Sequence, residues 1–174
     1  MSPGRILLDT NVLSELMRPR PEPRVLAWFS AQGLHVRFVV SAITQAEILL
    51  GIALLPAGKK RSALEDVARS MFEQEFHGLN LAFDEHVAPG YAQIVAARSR
   101  KGRPISVEDA QIAAIASHHH VPLATRNIKD FDGVPNLTLI DPWAEAWDET
   151  TPSSLRSRPP RGASVPSGGR AVLT

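Results

Sequence analysis

The chain of 174 residues contains no cysteine. Disulfides, thiol nucleophiles and cysteine-ligated zinc are therefore excluded. Aromatic residues make up only 6% of the chain, and no apolar run approaches the roughly 18 residues that are needed to span a bilayer. The N-terminal sequence lacks the apolar stretch of a signal peptide. We therefore expect a cytoplasmic protein that has no membrane segment.

An excess of charge of either sign is also missing, because the formal net charge is +1. The charge is uneven along the chain: residues 1–150 hold 15 lysines and arginines against 18 acids, whereas residues 151–174 hold four arginines and no acid. A nucleic-acid binder that relies on bulk positive charge is therefore excluded. Any contact with nucleic acid has to come from local basic patches, or from metal ions that offset the acids.

Apolar segments of strand length alternate with segments of helical periodicity along most of the chain. This alternation predicts an α/β fold, a three-layer α-β-α sandwich around a mainly parallel sheet of about five strands. The predicted strands cover residues 6–8, 36–40, 79–83, 122–125 and 137–140. The predicted helices cover residues 11–17, 25–31, 42–55, 61–76 and 107–117, a segment that Asp84 caps and that runs to residue 100 or 101, and a final turn over 141–147. Gly102 is predicted to end the segment that Asp84 caps, and Ser106 is predicted to cap the helix 107–117.

Composition divides the chain into two parts. Residues 1–148 have the apolar content of one folded domain. Residues 149–174 are rich in serine, proline, glycine and arginine, a mixture that buries too little apolar surface to offset its ordering entropy. We expect these last residues to form a disordered tail without an assigned role.

Two acids lie in apolar segments, where burial of a charged side chain is energetically unfavourable. Asp9 directly follows the first apolar strand, at the carboxyl end where open α/β sheets place their ligands; its alternative role is that of a helix cap. Glu47 is the only charged residue in the predicted helix 42–55, which is apolar on nearly all sides. A buried carboxylate needs a partner, and either a metal ion or a distant arginine would serve.

Two further acids follow in the second half of the chain. Asp109 shares a helix face with Ile112, Ala113 and Ala116, whereas Glu108 lies on a more polar face. Asp130 belongs to a polar segment, predicted as a loop, that leaves the fourth strand toward the same edge as Asp9. Asp130 by itself is an ordinary turn residue, and it gains meaning only from the convergence of the four acids.

Four carboxylates held close together would repel one another without a counter-ion. An all-oxygen set of this kind suits a hard cation, Mg²⁺ or Mn²⁺ as its substitute. Such an ion bridges phosphate oxygens and lowers the pKa of a bound water, which favours phosphodiester hydrolysis. Four polar side chains near these acids are candidates for positioning the ligands or a water, with capping and turn roles as the alternative: Thr10, Asn11, Thr125 and Asn127.

These residues resemble PIN-domain nucleases, and among them VapC-type toxins of bacterial toxin–antitoxin modules. The resemblance covers roughly residues 5–142 and rests on four motifs in the family's order. The motifs are Leu8-Asp9-Thr10-Asn11-Val12-Leu13, Ala46-Glu47-Ile48-Leu49-Leu50-Gly51-Ile52, Asp109-Ala110-Gln111-Ile112-Ala113-Ala114, and Thr125-Arg126-Asn127 with Asp130-Phe131.

The resemblance implies a single-strand-directed endoribonuclease in which Asp9, Glu47, Asp109 and Asp130 are the metal-binding acids. Asn127 is the alternative contributor to the fourth position, because the family varies there. The resemblance further implies a homodimer, a cognate VapB-type antitoxin, and an RNA substrate such as tRNA or rRNA. Gly51, a glycine within a helix, suggests close packing, either within one subunit or between two.

Basic residues cluster just before the predicted helix 107–117. Arg98, Arg100, Lys101 and Arg103 are candidates for RNA contact, together with Arg126 in the fourth motif. The alternative for the cluster is a helix end whose cations complement the helix dipole.

Two other groups of residues are interpreted as structural. His118, His119 and His120 are predicted to form a solvated turn rather than a metal site. Trp28, Trp143 and Trp147 are interpreted as core or interface residues, since none of them lies among the predicted site residues.

Two other functional classes share parts of this pattern. A phosphoryl-accepting regulatory domain would place a lysine late in the site, and Lys129 lies instead in the variable segment. An inert protein-binding module on the same fold is the main alternative, and the complete set of acids argues against it.

Overall fold

A computed structural model describes residues 4–33 and 36–144 of the chain. Within these ranges, five strands form one sheet in the order β3-β2-β1-β4-β5, and every pair of neighbours is parallel. The predicted α/β class and parallel sheet are thereby confirmed. The strands are β1 (Gly4–Leu8), β2 (Val36–Ser41), β3 (Asn80–Leu81), β4 (Leu123–Ala124) and β5 (Leu139–Ile140).

The described part of the chain contains seven α-helices, and a π-helical turn at Met71–Glu75 continues the fourth of them. The helices are α1 (Thr10–Leu16), α2 (Pro23–Ala31), α3 (Ala42–Ala53), α4 (Lys59–Ser70), α5 (Ala88–Arg100), α6 (Val107–His118) and α7 (Ile128–Phe131).

The central strand β1 shows why the fold has three layers. Successive side chains of a strand point to opposite faces of the sheet. Ile6 and Leu8 pack in a cluster with residues of α1 to α4, whereas Leu7 packs in a second cluster with residues of α5 and α6. All three side chains are buried, so the short apolar segment Ile6–Leu8 is covered by helices on both faces.

Helix α3 buries a narrower face than its composition predicted. Thr44, Ile48 and Ile52 are buried, but Leu50 is 58% exposed and Leu54, at the end of the helix, is 76% exposed. The expectation of close packing at Gly51 is not met within the described chain, because a Cβ atom there would have no neighbour within 4 Å. An apolar composition therefore did not imply burial on all sides.

Several predicted helix ends are confirmed. Ser106 Oγ accepts a hydrogen bond of 3.1 Å from Asp109 N and caps α6. Gly102, just after α5, has a φ of +63°, a conformation that glycine adopts without strain. At the end of α6, His118 and His120 are exposed and His119 is half-buried, which agrees with the predicted turn.

Two local predictions were wrong. Asp84 caps a turn, accepting from His86 N at 3.0 Å, and α5 begins later, at Ala88. The segment predicted as a loop around Asp130 is the short helix α7. The predicted final turn is seen only as far as Ala144, whose N–H donates to the Asp141 carbonyl at 3.2 Å.

The remainder of that last turn, Trp147 and the predicted tail 149–174 lie outside the described residues. Among the helices that the structure describes, none is long and apolar enough to cross a membrane.

Candidate metal-dependent active site

Asp9 lies between the end of β1 and the start of α1, and only 3% of its surface is exposed. Its Oδ1 accepts from Thr10 N at 2.8 Å, and its Oδ2 accepts from Asn11 Nδ2 at 2.8 Å and from Thr125 Oγ1 at 2.7 Å. Asp9 is thus the N-cap of α1 as well as a site candidate. Three donors fix its carboxylate, so the helix-cap role predicted as the alternative is confirmed, and its role as a metal ligand stays a prediction.

Burial changes the acidity of this carboxylate. It raises the pKa of Asp9 from 3.8 to about 6, and the negative charges of Asp109 and Glu47 contribute to the increase. Hydrogen bonds from Thr125 and Thr10 oppose it, because they stabilise the charged form. Asp9 is therefore a carboxylate whose ionised form lacks a cationic partner among the described residues that surround it.

Glu47 is half-buried on α3, not fully buried as the sequence suggested. Its Oε1 accepts a hydrogen bond of 2.6 Å from Thr10 Oγ1, which also lies 3.4 Å from Thr44 Oγ1. The partner of Glu47 is therefore a hydroxyl group and not an arginine. Thr10 connects Asp9, through its backbone N–H, with Glu47, through its side chain.

Asp109 lies in the first turn of α6 and is half-buried, whereas its neighbour Glu108 is exposed. This difference agrees with the helix faces deduced from the sequence. Burial raises the pKa of Asp109, and the negative charges of Asp130 and Glu108 contribute to the increase. Asp130 itself is exposed on α7. The charge of Asp109 thus contributes to the raised pKa of Asp9, and the charge of Asp130 contributes to the raised pKa of Asp109.

Hydrogen bonds through Asn11 and Thr125 connect Asp9 with the backbone of residues 126 and 127, just after β4. Asn11 Oδ1 accepts from Arg126 N at 3.0 Å, and the buried Thr125 Oγ1 accepts from Asn127 N at 3.0 Å. Asn11 Nδ2 lies 3.3 Å from Thr125 Oγ1. Segments more than a hundred residues apart in sequence are therefore held in register around one carboxylate.

The donor chemistry of the site fits a hard divalent cation, because every candidate ligand is an oxygen. No set of three or more histidine, aspartate or glutamate side chains among residues 4–33 and 36–144 stands close enough together to hold a metal ion jointly. Mg²⁺ needs no such cage, since it binds through one or two carboxylates and keeps several waters. Asp9 and the nearby acids offer the one or two carboxylates that Mg²⁺ needs.

The predicted basic patch divides into two kinds of residue. Arg98 is buried, and its Nη1 donates to the Asp132 carbonyl at 2.6 Å. Its prediction as an RNA contact was therefore wrong: Arg98 faces the interior and connects α5 with the residue after α7. Arg100, Lys101 and Arg103 are exposed, and Arg103 lies 3.6 Å from the Asp132 carboxylate.

Sequence reasoning missed Trp143 as a neighbour of the site. The exposed Arg126 places its guanidinium 5.3 Å from the centre of the Trp143 ring. Beside this pair is a cleft of about 410 Å³, lined by Arg126, Asn127, Ile128, Lys129, Asp130 and Asp141. The only sequence signal was the proximity of Asp141-Pro142-Trp143 to the end of β5, the strand beside β4.

Comparison with known proteins places this arrangement in a family. The family model described as PIN domain matches residues 6–137. Toxin FitB of Neisseria gonorrhoeae is 42% identical over 79% of this chain and 98% of its own length. VapC ribonuclease Y4jK of Sinorhizobium fredii is 38% identical over 81% of this chain and 99% of its own length.

The fold agrees with these matches. A solved structure of FitAB bound to a DNA fragment has a chain that is 41% identical, with a TM-score of 0.74, over 82% of this chain and 98% of that one. Residues 6–137, which the family model matches, include Asp9, Glu47, Asp109 and Asp130. The chain belongs to the PIN-domain family, among its VapC-type members.

Proposed function

We propose that this chain is a metal-dependent endoribonuclease that hydrolyses RNA phosphodiester bonds and acts as the toxin of a toxin–antitoxin system. The observation that carries the proposal is the Asp9 carboxylate, which is buried, held by three donors and adjacent to the charges of Asp109 and Glu47. A relative that is 38% identical is named a ribonuclease, and one that is 42% identical is named a toxin.

The ion that we propose for this site is Mg²⁺, with Mn²⁺ as a substitute. Bound there, it would supply a nucleophile of lowered pKa and stabilise charge on the reacting phosphate. Asp9 and Asp109 would hold it, since burial makes their negative charges the most costly to leave without a cation. Glu47 and Asp130 would complete the acidic surroundings.

Residues of the chain keep the ligands in place. Thr125 and Asn11 orient Asp9 through its Oδ2, and Thr10 orients Glu47 through the bond of 2.6 Å. Asn127 is held by its backbone bond to Thr125, which leaves its exposed side chain free to position substrate or water. These fixed contacts reduce the reorganisation that the reaction requires.

We assign the contacts with the RNA backbone to the exposed cations Arg100, Lys101, Arg103 and Arg126. They would offset the acidic character of residues 1–150 along the path of the substrate. Single-stranded regions of tRNA or rRNA are the proposed targets. This assignment leaves out Arg98, which is buried.

For partners we propose a cognate VapB-type antitoxin and a second copy of the chain in a homodimer. The antitoxin is supported by solved structural neighbours, which include FitAB and VapBC assemblies. Light scattering of the purified chain, alone and with the product of an adjacent antitoxin gene, measures both associations. A monomer at all concentrations would contradict the homodimer.

The decisive test is cleavage of single-stranded RNA by the purified chain, freed of antitoxin, with Mg²⁺ and with EDTA. Asp109→Asn should lower the rate by about a hundredfold or more. Glu108→Gln is the matched control, because it neutralises the exposed neighbouring acid on the same helix and should retain the wild-type rate.

The ends of the products test the mechanism. Hydrolysis by water leaves a 3′-hydroxyl and a 5′-phosphate, because the 2′-hydroxyl of the RNA is not the nucleophile. A 2′,3′-cyclic phosphate would contradict the mechanism. Intact tRNA and rRNA in both Mg²⁺ and Mn²⁺ would contradict the nuclease function and favour an inert binding module.

A further inference from the structure

Three hydroxyl groups lie in a row that ends at the carboxylate of Glu47. Thr44 Oγ1 lies 3.1 Å from Ser41 Oγ and 3.4 Å from Thr10 Oγ1, and Thr10 Oγ1 lies 2.6 Å from Glu47 Oε1. Ser41 and Thr44 are fully buried, whereas Thr10 is half-buried. Sequence reasoning did not single out Ser41 or Thr44. This hydroxyl row connects the end of β2, helix α3 and the start of α1 through side chains alone.

The number of protons fixes the direction of the hydroxyl row. Each hydroxyl group has one proton to donate, and an ionised carboxylate can only accept. Thr10 therefore donates to Glu47 and has no proton left for Thr44. Thr44 must then donate to Thr10, and Ser41 must donate to Thr44. Because the Ser41 oxygen accepts in turn from Thr44 N at 2.9 Å, the row starts at the backbone of α3 and every donor points toward Glu47.

Helix capping and packing do not account for the hydroxyl group of Thr44. Ser41 is the N-cap of α3, a role that needs only its own oxygen. Thr44 lies within the helix and is buried, where a hydroxyl group without a partner is costly and where alanine has the higher helix propensity. Among the described residues, its contact with Thr10 is the one hydrogen bond by which this hydroxyl group reaches another element.

The hydroxyl row acts on Glu47 through Thr10. A donor at the Thr10 oxygen polarises the Thr10 O–H bond and so strengthens its donation to Glu47. It also prevents the Thr10 proton from turning toward Thr44. The charge of Glu47 contributes to the raised pKa of Asp9, so the position of the Glu47 carboxylate affects the charges of the whole site.

We propose that Thr44, supported by Ser41, is a positioning residue of the acidic site: it directs the Thr10 hydroxyl group at Glu47 and so holds the Glu47 carboxylate where it contributes to cation binding. The inference rests on the proposed function, because the orientation of Glu47 matters only if these acids bind a divalent cation. Neither Ser41 nor Thr44 touches the ion or the RNA in this role.

The test is a titration of the full chain with Mn²⁺, in which electron paramagnetic resonance measures the ion that stays free. Thr44→Val keeps the shape of the side chain and removes the hydroxyl group, so the dissociation constant should rise about fivefold, the effect of one neutral hydrogen bond. Thr44→Ser keeps the hydroxyl group and should stay within about twofold of the wild type. Equal Mn²⁺ affinity in Thr44→Val and the wild type would overturn the proposal.

A second comparison separates positioning from a general loss of structure. In a chain that carries Glu47→Gln, Thr44→Val should leave the Mn²⁺ affinity unchanged, because the carboxylate on which Thr44 acts is absent. Its effect on the melting temperature should remain in both backgrounds. If Thr44→Val weakened Mn²⁺ binding equally with Glu47 and with Gln at that position, Thr44 would act through the fold and the positioning role would be wrong.

Ser117→Ala is the matched control for the loss of a buried hydroxyl group. Ser117 Oγ is buried and has no hydrogen-bond partner among the described residues. It lies in the last turn of α6, whereas Asp109 lies in the first turn. Ser117→Ala should therefore bind Mn²⁺ as the wild type does. A loss of affinity as large as that of Thr44→Val would contradict a specific role of the hydroxyl row.

The titration and the cleavage assay fail independently. Mn²⁺ affinity that depends on Thr44 through Glu47, in a protein that cleaves no RNA, would support the positioning role and contradict the nuclease. RNA cleavage by a protein whose Mn²⁺ affinity does not depend on Thr44 would support the nuclease and contradict the positioning role. No Mn²⁺ binding by the wild type would overturn the positioning role together with the proposed metal site.

Discussion

Thr125 Oγ1 donates a hydrogen bond of 2.7 Å to Asp9 Oδ2, although the two residues are 116 positions apart in the sequence. Both side chains are buried, in adjacent parallel strand ends of β1 and β4. The hydrogen bond favours the charged form of Asp9 and so opposes the increase in its pKa that burial causes. Thr125 therefore helps to keep the proposed metal ligand ionised.

Replacement of Thr125 tests this relationship. Thr125→Val keeps the shape of the side chain and removes the donor, so the pKa of Asp9 should rise further and RNA cleavage at pH 6 should fall by about tenfold, since a lost bond to a charged group costs about 1.5 to 3 kcal/mol. Thr125→Ser keeps the hydroxyl and should stay close to the wild type. An identical pH profile for Thr125→Val and the wild type would contradict this role.

The acidity of Asp9 predicts the lower pH limit of activity. The pKa of about 6 means that the carboxylate is half protonated near that pH, and a proton competes with the metal ion. Cleavage at limiting Mg²⁺ should therefore decline as the pH falls below about 6, and higher Mg²⁺ should move the decline to lower pH. A decline that does not depend on Mg²⁺ concentration would contradict metal binding by Asp9.

The same shift predicts how stability of the metal-free protein depends on pH. The folded-state pKa of Asp9 lies above the unfolded value of 3.8, so its contribution is complete below that value and is lost as the pH rises to about 6. The loss is on the order of 3 kcal/mol for a shift of about two units. Urea unfolding in EDTA at pH 4 and pH 7 measures it.

Asp9→Asn is the comparison for that measurement, because it carries no titrating group at this position. Its free energy of unfolding should decrease less between pH 4 and pH 7 than that of the wild type, whatever the absolute stability of each protein. Equal decreases in the two proteins would show that Asp9 does not cause the dependence.

Mg²⁺ should stabilise the wild-type protein at neutral pH by giving the buried carboxylate a cation. At a hundredfold excess over its dissociation constant, a ligand stabilises by about 2.7 kcal/mol, which for a chain of this size raises the melting temperature by about 5 to 10 °C. Differential scanning calorimetry measures the shift. Asp9→Asn should lose most of it, whereas Glu108→Gln should keep it.

Two arginines near the end of α5 should respond in opposite ways to substitution. Arg98→Met removes the buried bond to the Asp132 carbonyl and should lower the free energy of unfolding by about 2 to 3 kcal/mol. Arg100→Ala affects an exposed side chain and should leave stability unchanged while it reduces the salt dependence of RNA binding by about one phosphate contact. Similar effects on stability would contradict this division.

Most of the architecture was accessible from the sequence because local patterns determine it. The apolar segment Ile6–Leu8 predicted a strand covered on both faces, and the structure confirms it. Ser106 and Gly102 marked the limits of helices through their own side-chain and backbone preferences. The position of Asp9 after the first strand predicted its place at the carboxyl edge of the sheet.

Other features depended on contacts between distant segments. Arg98 and Arg100 are two residues apart on one helix, and only the packing of α5 decides that the first is buried and the second exposed. The exposure of Leu50 and Leu54 depends on which face of α3 meets the sheet. Helix α7 has only four residues, too few for a hydrophobic period to predict.

The sequence by itself determined which residues can perform the chemistry: the acids, their hydroxyl and amide neighbours, and the alternation that brings strand ends to one edge. The tertiary structure decided how they act together. The carboxylate of Asp9 acquires its altered pKa and its three donors only when β1, α1 and the end of β4 meet. Trp143 becomes a neighbour of Arg126 only after β5 has paired with β4, because spacing along the chain does not encode distances between non-local segments.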